Sequence, residues 1–435
     1  MNIRLLATLL VFTLGTSFGQ FGRHPKEEKE RPEKPKILYV WAADQAHRAP
    51  DFLAVIDFDE DSPEYGHVIN TVPLPAPGNI GNEPHHCHLN STKTVLGCGG
   101  LLSLLKNQNG IFFFDVRDAK KPGFLFSTKA VESSMTDDFL PLENGGFLIT
   151  QMGSSTGMAP GRIAEFDGKM HFVANHFGTF SLFEEWPKKP PLDGFNPHGI
   201  SARPDLNLMM TSDFLMPSST LMGSMGPVLR GSVRIWDYRE RRITKTIDLI
   251  APDGTPAQGT MDVKMLPKNP SGYGYTSGMF DGHIYLIDPE AGTGTPVFDL
   301  ATIKPHVDTP VSGGMGQILA TPQSGDRLIL GTFMAGQIVM FDTSDVFRPK
   351  QISVVNFGAN AGPHNIVLSE DDSRLVVTDY FLNEDDAGII HFEGDHKVHV
   401  LKVTHDGLSE DKRFNLDFNT AFSTGPARPH GIAMK

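Results

Sequence analysis

Four histidines, His85, His198, His364 and His430, stand at one place in a recurring pattern, each directly after a proline. Imidazole nitrogen binds copper, iron and zinc, and convergence in space rather than spacing in sequence defines such a site. A single buried imidazole is ordinarily a hydrogen-bonded core residue, and the competing account is that these four close a ring of repeats through hydrogen bonds. Four at one repeat position point instead to a metal. In Glu83-Pro84-His85-His86-Cys87-His88, strand alternation puts His86 and His88 on the face opposite His85 and Cys87. A β-bulge would turn His86 toward the same centre, so His86 stays a candidate ligand. Asp137 and Asp138 occupy the same repeat position in another copy. Either could orient an imidazole or accept a proton, with Asp138 the stronger acid/base candidate. Met261 with Asp262, and Met315, flank the same mouth. A thioether can bind Cu(I), although methionine is more commonly core filler.

These residues need elements that bring distant segments together, and an internal repeat supplies them. Pro197-His198-Gly199-Ile200 followed by Leu208-Met209-Met210-Thr211 matches Pro363-His364-Asn365-Ile366 followed by Leu375-Val376-Val377-Thr378. A third strand then ends in a hydrophobic-Asp pair, as in Ile235-Trp236-Asp237, Leu286-Ile287-Asp288, Met340-Phe341-Asp342 and Phe113-Phe114-Asp115. The copies are anchored at 85, 137, 198, 261, 316, 364 and 430. The last is split: Pro429-His430-Gly431-Ile432 ends the chain as a lone strand, and its partners are Ile37–Val40, Leu53–Asp57 and Val68–Val72. The expectation is an all-β, seven-bladed β-propeller, its ring closed by pairing of the N- and C-terminal strands, which removes exposed sheet edges. A two-sheet sandwich would not explain the terminal split.

Gly and Pro make up about one residue in six, which favours many turns over long helices. A net charge of −13 disfavours nucleic acid and anionic membranes as partners. Two cysteines rule out a disulfide scaffold and a four-cysteine zinc site. Cys87 and Cys98 lie on the two strands of one hairpin and oppose each other if the turn centres near Thr92 and Lys93. A disulfide is favoured, free buried thiols come next and a cysteine–metal bond last. Asn90-Ser91-Thr92, in that turn, is the one N-glycosylation sequon.

Residues 1–19 carry a single charged side chain, Arg4, an apolar run from Leu5 to Leu14, and small residues at Ser17 and Gly19 suited to cleavage before Gln20. The run is shorter than the ~20 residues of a spanning helix, so a signal peptide is expected rather than a retained anchor. Residues 20–36 read as a charged linker and 37–435 as one propeller domain. The mature protein is then soluble and secreted, extracellular or periplasmic.

Several stretches resemble the selenium-binding protein family, whose members include methanethiol oxidases. They are Ala49-Pro50-Asp51-Phe52-Leu53-Ala54 through Ser62-Pro63-Glu64-Tyr65, Asn82-Glu83-Pro84-His85-His86, and Phe341-Asp342-Thr343-Ser344-Asp345-Val346-Phe347-Arg348-Pro349. The resemblance implies a seven-bladed propeller, copper at channel histidines, and oxidation of methanethiol by O2 to formaldehyde, sulfide and peroxide. Two positions depart from the family. The selenium-binding cysteine after the Ser-Pro-x-Tyr motif is Gly66 here, and a His-x-x-His-Cys stretch is replaced by Met135-Thr136-Asp137-Asp138-Phe139. The metal set is thus rearranged.

Three functions follow. The first is a secreted copper oxidase of a small thiol or related reduced molecule, with O2 as co-substrate. Its ligands would be His85, His198, His364 and His430, with His86 a fifth, and Asp138 or Asp137 would handle the proton. The second is a non-haem iron oxygenase on the same histidines. The third is a non-catalytic extracellular propeller that binds a metal or a protein.

Overall fold

β-branched and aromatic runs of five to nine residues, broken by Gly, Pro, Asn and Asp, form short strands that pair with their sequence neighbours. A computed structural model describes residues 33–177, 194–221, 226–303, 315–358, 361–379, 382–384, 390–392 and 394–435. The proposed signal peptide and most of the linker lie outside the described residues. Seven sheets follow one another along the chain, and a small hairpin, Leu382–Glu384 with Ile390–Phe392, stands apart from them. The expected seven-bladed propeller is the observed fold. No helix among the described residues is long and apolar enough to cross a membrane.

The split blade is present as expected. Ala427–Met434 is the innermost strand of a sheet whose other strands are Ile37–Asp44, Phe52–Asp57 and Val68–Pro73. Apolar packing holds this blade on both flanks. On one side Trp41 packs tilted against Phe112 and edge-on to Phe114 and donates its indole N–H to the Gly99 carbonyl at 2.8 Å. On the other, Ile432, Leu38 and Val40 share a cluster with Val376, Val400 and Phe414. The buried Arg374 guanidinium lies 3.8 Å from the Phe58 ring centroid and donates to the Phe58 and Pro35 carbonyls.

Each innermost strand shifts register at its anchor. The shift falls after Pro84, Thr136, Pro197, Thr260 and Gly316, and around His364 and His430. The residues skipped by the ladder are therefore His85 with His86, Asp137 with Asp138, His198 with Gly199, Met261 with Asp262, Gln317 with Ile318, then His364 and His430. This corrects one anchor: the fifth copy is centred on Gln317, not Gly316.

Hydroxyls of the second strands tie neighbouring blades together at the same level. Thr150 donates to the His198 carbonyl at 2.7 Å, Ser212 to Met261 at 2.9 Å, Ser277 to Gln317 at 3.0 Å and Thr378 to His430 at 2.6 Å. At the equivalent position Gly99 abuts the next blade, where a Cβ would stand 2.9 Å from the Thr136 carbonyl oxygen. Backbone carbonyls and hydroxyls thus make these inter-blade bonds, which the competing account had assigned to the imidazoles.

Candidate metal centre

A two-residue bulge turns consecutive side chains away from the ladder, and this resolves the position of His86. His85 and His86 both leave the strand toward the channel and stack with ring centroids 4.2 Å apart. His430 approaches His85 at 4.5 Å and His364 at 4.8 Å, and His86 lies 5.6 Å from His364. One nitrogen each of His85, His86, His364 and His430 fall within 4.8 Å of one another, all buried. A second group, sharing His85, joins it to Asp137 and His198. All five candidate histidines therefore meet, but in two overlapping sets. His86 completes the four-imidazole set, and His198 stands on its Asp137 side.

Nitrogens bound to one ion at about 2.0–2.1 Å lie no more than about 4.2 Å apart. The observed spacing is within small side-chain adjustments of that limit. His86 Nε2 and His198 Nδ1 are buried and make no hydrogen bond among the described residues. An all-imidazole donor set suits copper, iron or zinc, so the residues fit a transition metal.

Asp137, buried, is the carboxylate that reaches the histidines. It lies 3.3 Å from His85 Nε2, 3.2 Å from His86 Nδ1 and 3.2 Å from His198 Nε2. Burial alone would raise its pKa, but the surrounding imidazoles, His198 first, hold it well below the usual carboxylate range. Burial in turn pushes His198 down to about 4 and lowers His86. Burial, then the neighbouring rings, hold His364 and His430 well below their ordinary value. His86, His198, His364 and His430 are thereby held neutral at pH 7, the form in which imidazole ligates. An imidazole that turns its N–H to Asp137 presents its other nitrogen to a metal.

Asp138 points elsewhere. It accepts the N–H of Phe139, sits 3.0 Å from His88 Nε2 and 3.8 Å from Lys264 Nζ. Burial opposes its ionisation, yet Lys264 and His88 lower its pKa. Asp262 bonds the N–H groups of Val263 and Leu319 and pairs with Lys264 at 3.3 Å, while burial pushes it up to about 6. Neither Asp138 nor Asp262 reaches the four-imidazole set as Asp137 does. Gln317 contacts His364 Nδ1 through its side-chain oxygen. The repeat pattern does not reveal this contact, because Gly316 of the fifth copy stands where the other copies have Pro or Thr.

The bulges also sort the channel into two cavities. One, of 210 Å³, touches His85, Asp137, His198, Gln317 and His364 and is otherwise largely apolar. The other, of 200 Å³, meets His86, His88, Asp138, Asp262 and Lys264. His198 borders both.

Cys87 and Cys98 pair directly across their hairpin and form a disulfide with S–S 2.02 Å. The sequon is structural: Asn90 is buried, its Nδ2 donates to the Gly145 carbonyl at 3.0 Å, and its Oδ1 caps Thr94 and Val95. That amide has no room for a glycan.

Sequence comparison matches residues 22–435 to the 56 kDa selenium-binding protein family. A methanethiol oxidase of Xenopus laevis is 22% identical over 350 residues, covering 75% of this chain and 70% of that protein. The human methanethiol oxidase is 23% identical over 88% of this chain and 89% of its own, and that of Hyphomicrobium sp is 24% identical over 85% and 80%. Among solved structures, a hypothetical selenium-binding protein from Sulfolobus tokodaii superposes with a TM-score of 0.72 at 18% identity, covering 93% of this chain and 94% of that one.

Proposed function

This chain belongs to the 56 kDa selenium-binding protein family, and from that premise we propose that it is a copper-dependent oxidoreductase acting on a small thiol with O2, exported from the cell. The observation that carries the reading is the buried set of His85, His86, His364 and His430, with ligand atoms within 4.8 Å. Relatives named methanethiol oxidase support the thiol. Copper is favoured because imidazole donors of one site bind Cu(II) more tightly than the other divalent first-row metals. Bound there, copper supplies one-electron redox chemistry and a soft partner for sulfur.

The chain's own residues do the rest. His85, His86, His364 and His430 hold the ion, and His198 stands beside His85 as a further donor. Asp137 fixes the rings of His85, His86 and His198 and, ionised, orients their N–H groups. Asp138, paired with His88 and Lys264, lines the polar cavity instead of supporting the ligands. Gly66 in place of the family's selenium-binding cysteine leaves no selenium or thiol nucleophile at that position, so the redox centre in this reading rests on the histidines. Export rests on residues 1–19, and the Cys87–Cys98 bridge agrees with an oxidising compartment.

Metal analysis of protein purified without added metal, together with oxygen uptake on methanethiol, tests the reading. Copper near one per chain with thiol-dependent oxygen consumption is the expected result. Iron at the same stoichiometry would support the oxygenase reading, and a metal-free, inert protein would overturn both.

A further inference from the structure

The bulges point the anchor side chains into the apolar cavity and the following residues into the polar one, so the two faces of the histidine layer differ in chemistry. The apolar cavity is built from side chains at the ends of the first and second strands of several blades. Its walls include Leu101, Met135, Met152, Phe214, Met261 and Met279. Phe214 stands edge-on to His198 with centroids 5.1 Å apart, so the wall continues onto the histidine layer. Among the described lining residues the one charged group is Asp137, and no lysine or arginine faces the space. The volume is 210 Å³, whereas an apolar cavity of roughly 150 Å³ already holds benzene. A one-carbon thiol would leave most of it empty. Four methionines in one wall suit a flat or irregular apolar body, because thioethers are polarizable, adaptable and favourable against aromatic rings.

We propose that this chamber is a binding site for an uncharged apolar molecule of benzene size or somewhat larger, a ring or branched chain of about six to eight heavy atoms, seated over His85, His198 and His364. The proposal rests on the thiol-oxidase reading only for the headgroup, which would be a thiol directed at the histidines. The body of the ligand is set by the walls. A carboxylate on that body is disfavoured, since the described walls around it offer no lysine or arginine and Asp137 lies at the floor.

Fluorobenzene, which cannot be oxidised at this site, is the probe. Fluorine NMR titration of the full protein is expected to show saturable binding with a Kd below about 1 mM. 4-Fluorobenzoate, with the same ring and a charge, should bind at least tenfold more weakly. Leu101→Trp, which fills the chamber, should abolish fluorobenzene binding, and Leu221→Phe, a smaller increment in the same wall, should weaken it at least threefold if the larger change disturbs folding. Absence of saturable binding to the folded wild type, equal binding of the benzoate, or indifference to both substitutions would each overturn the proposal. Oxygen uptake on phenylmethanethiol separates the two readings. Fluorobenzene bound without thiol-dependent uptake leaves the chamber standing and removes the oxidase. Uptake on methanethiol without fluorobenzene binding does the reverse.

Discussion

The C-terminal strand both closes the ring and carries a histidine, and two substitutions two residues apart separate those tasks. The ladder pairs Val40 with Ile432, Trp41 with Gly431 and Ala42 with Pro429, passing over His430. Its imidazole therefore takes no part in the pairing, and His430→Ala leaves the backbone register intact. It does remove one of four clustered nitrogens. Disturbing a residue that merely supports a ligand costs 10–100-fold in metal affinity, so loss of a ligand should cost at least ~100-fold, about 2.7 kcal/mol. Ile432 is fully buried between the terminal blade and its neighbour. Ile432→Ala should cost about 2–5 kcal/mol through lost burial and a cavity. At roughly 2.1 cal/mol/K per residue, a domain of about 400 residues has an unfolding entropy near 0.84 kcal/mol/K, so that loss lowers Tm by about 2–6 °C. Calorimetry of metal-free protein and competitive chelator titration of the folded protein provide the two readouts. His430→Ala should move the titration and leave the metal-free Tm within about 1 °C, and Ile432→Ala should do the opposite. Stoichiometric tight metal in His430→Ala, or a metal-free Tm unmoved in Ile432→Ala, would refute the reasoning.

Asp137→Asn keeps the volume but replaces an acceptor with a group that also donates. It should weaken metal binding 10–100-fold by chelator competition, whereas Asp138→Asn, one residue on, should change it less than about threefold. Removing the Cys87–Cys98 bridge, which closes a sequence separation of 11, should cost about 2.8 kcal/mol by the chain-entropy relation. The Cys87→Ser, Cys98→Ser double variant should then melt about 3 °C lower, and an unchanged Tm would contradict it. Stripping the metal from protein held at about 1,000 times its Kd removes about 4.1 kcal/mol of linkage stabilisation, so Tm should fall by about 5 °C on adding a chelator. A Tm insensitive to chelation would show that the histidines bind nothing tightly.

The ring was legible because its signals are strong and repeated. Proline before the anchor histidine, an apolar second strand and a hydrophobic-Asp ending recur often enough to count blades and to find the one divided between the termini. The candidate histidines were legible for the same reason. Their grouping was not, because a two-residue bulge leaves the hydrophobic alternation on either side in phase, and nothing in His85-His86-Cys87 distinguishes it from a regular strand. The choice between Asp137 and Asp138 was hidden in the same way: adjacent acids of one type are separated only by which one the bulge turns inward. Gln317 was passed over because Gly316 stands where the other copies have Pro or Thr, which leaves the anchor unmarked in the sequence. The sequon's state was not legible, because it depends on Asn90 donating its amide to the Gly145 carbonyl of the next blade.

The same irregularity, repeated seven times, accounts for closure and for chemistry. A ring of blades needs inner strands that bond to their neighbours near the axis, and a channel site needs side chains that do not. The bulges expose anchor carbonyls to hydroxyls such as Thr150, Ser212, Ser277 and Thr378, so backbone groups tie the blades and the anchor side chains are released into the channel. Released imidazoles packed against one another are a poor choice for a purely structural core. Their burial lowers their basicity, and each polar atom left without a partner, such as His86 Nε2 or His198 Nδ1, costs about 1–3 kcal/mol. Well-packed apolar residues at the same anchors would fill the channel without that cost, as Met261 does in its blade. A metal removes the penalty by taking the lone pairs as ligands, and Asp137 removes more by accepting the opposite N–H groups. The arrangement is therefore stable in proportion to how well an ion occupies it, which is the physical reason to read these histidines as a metal centre.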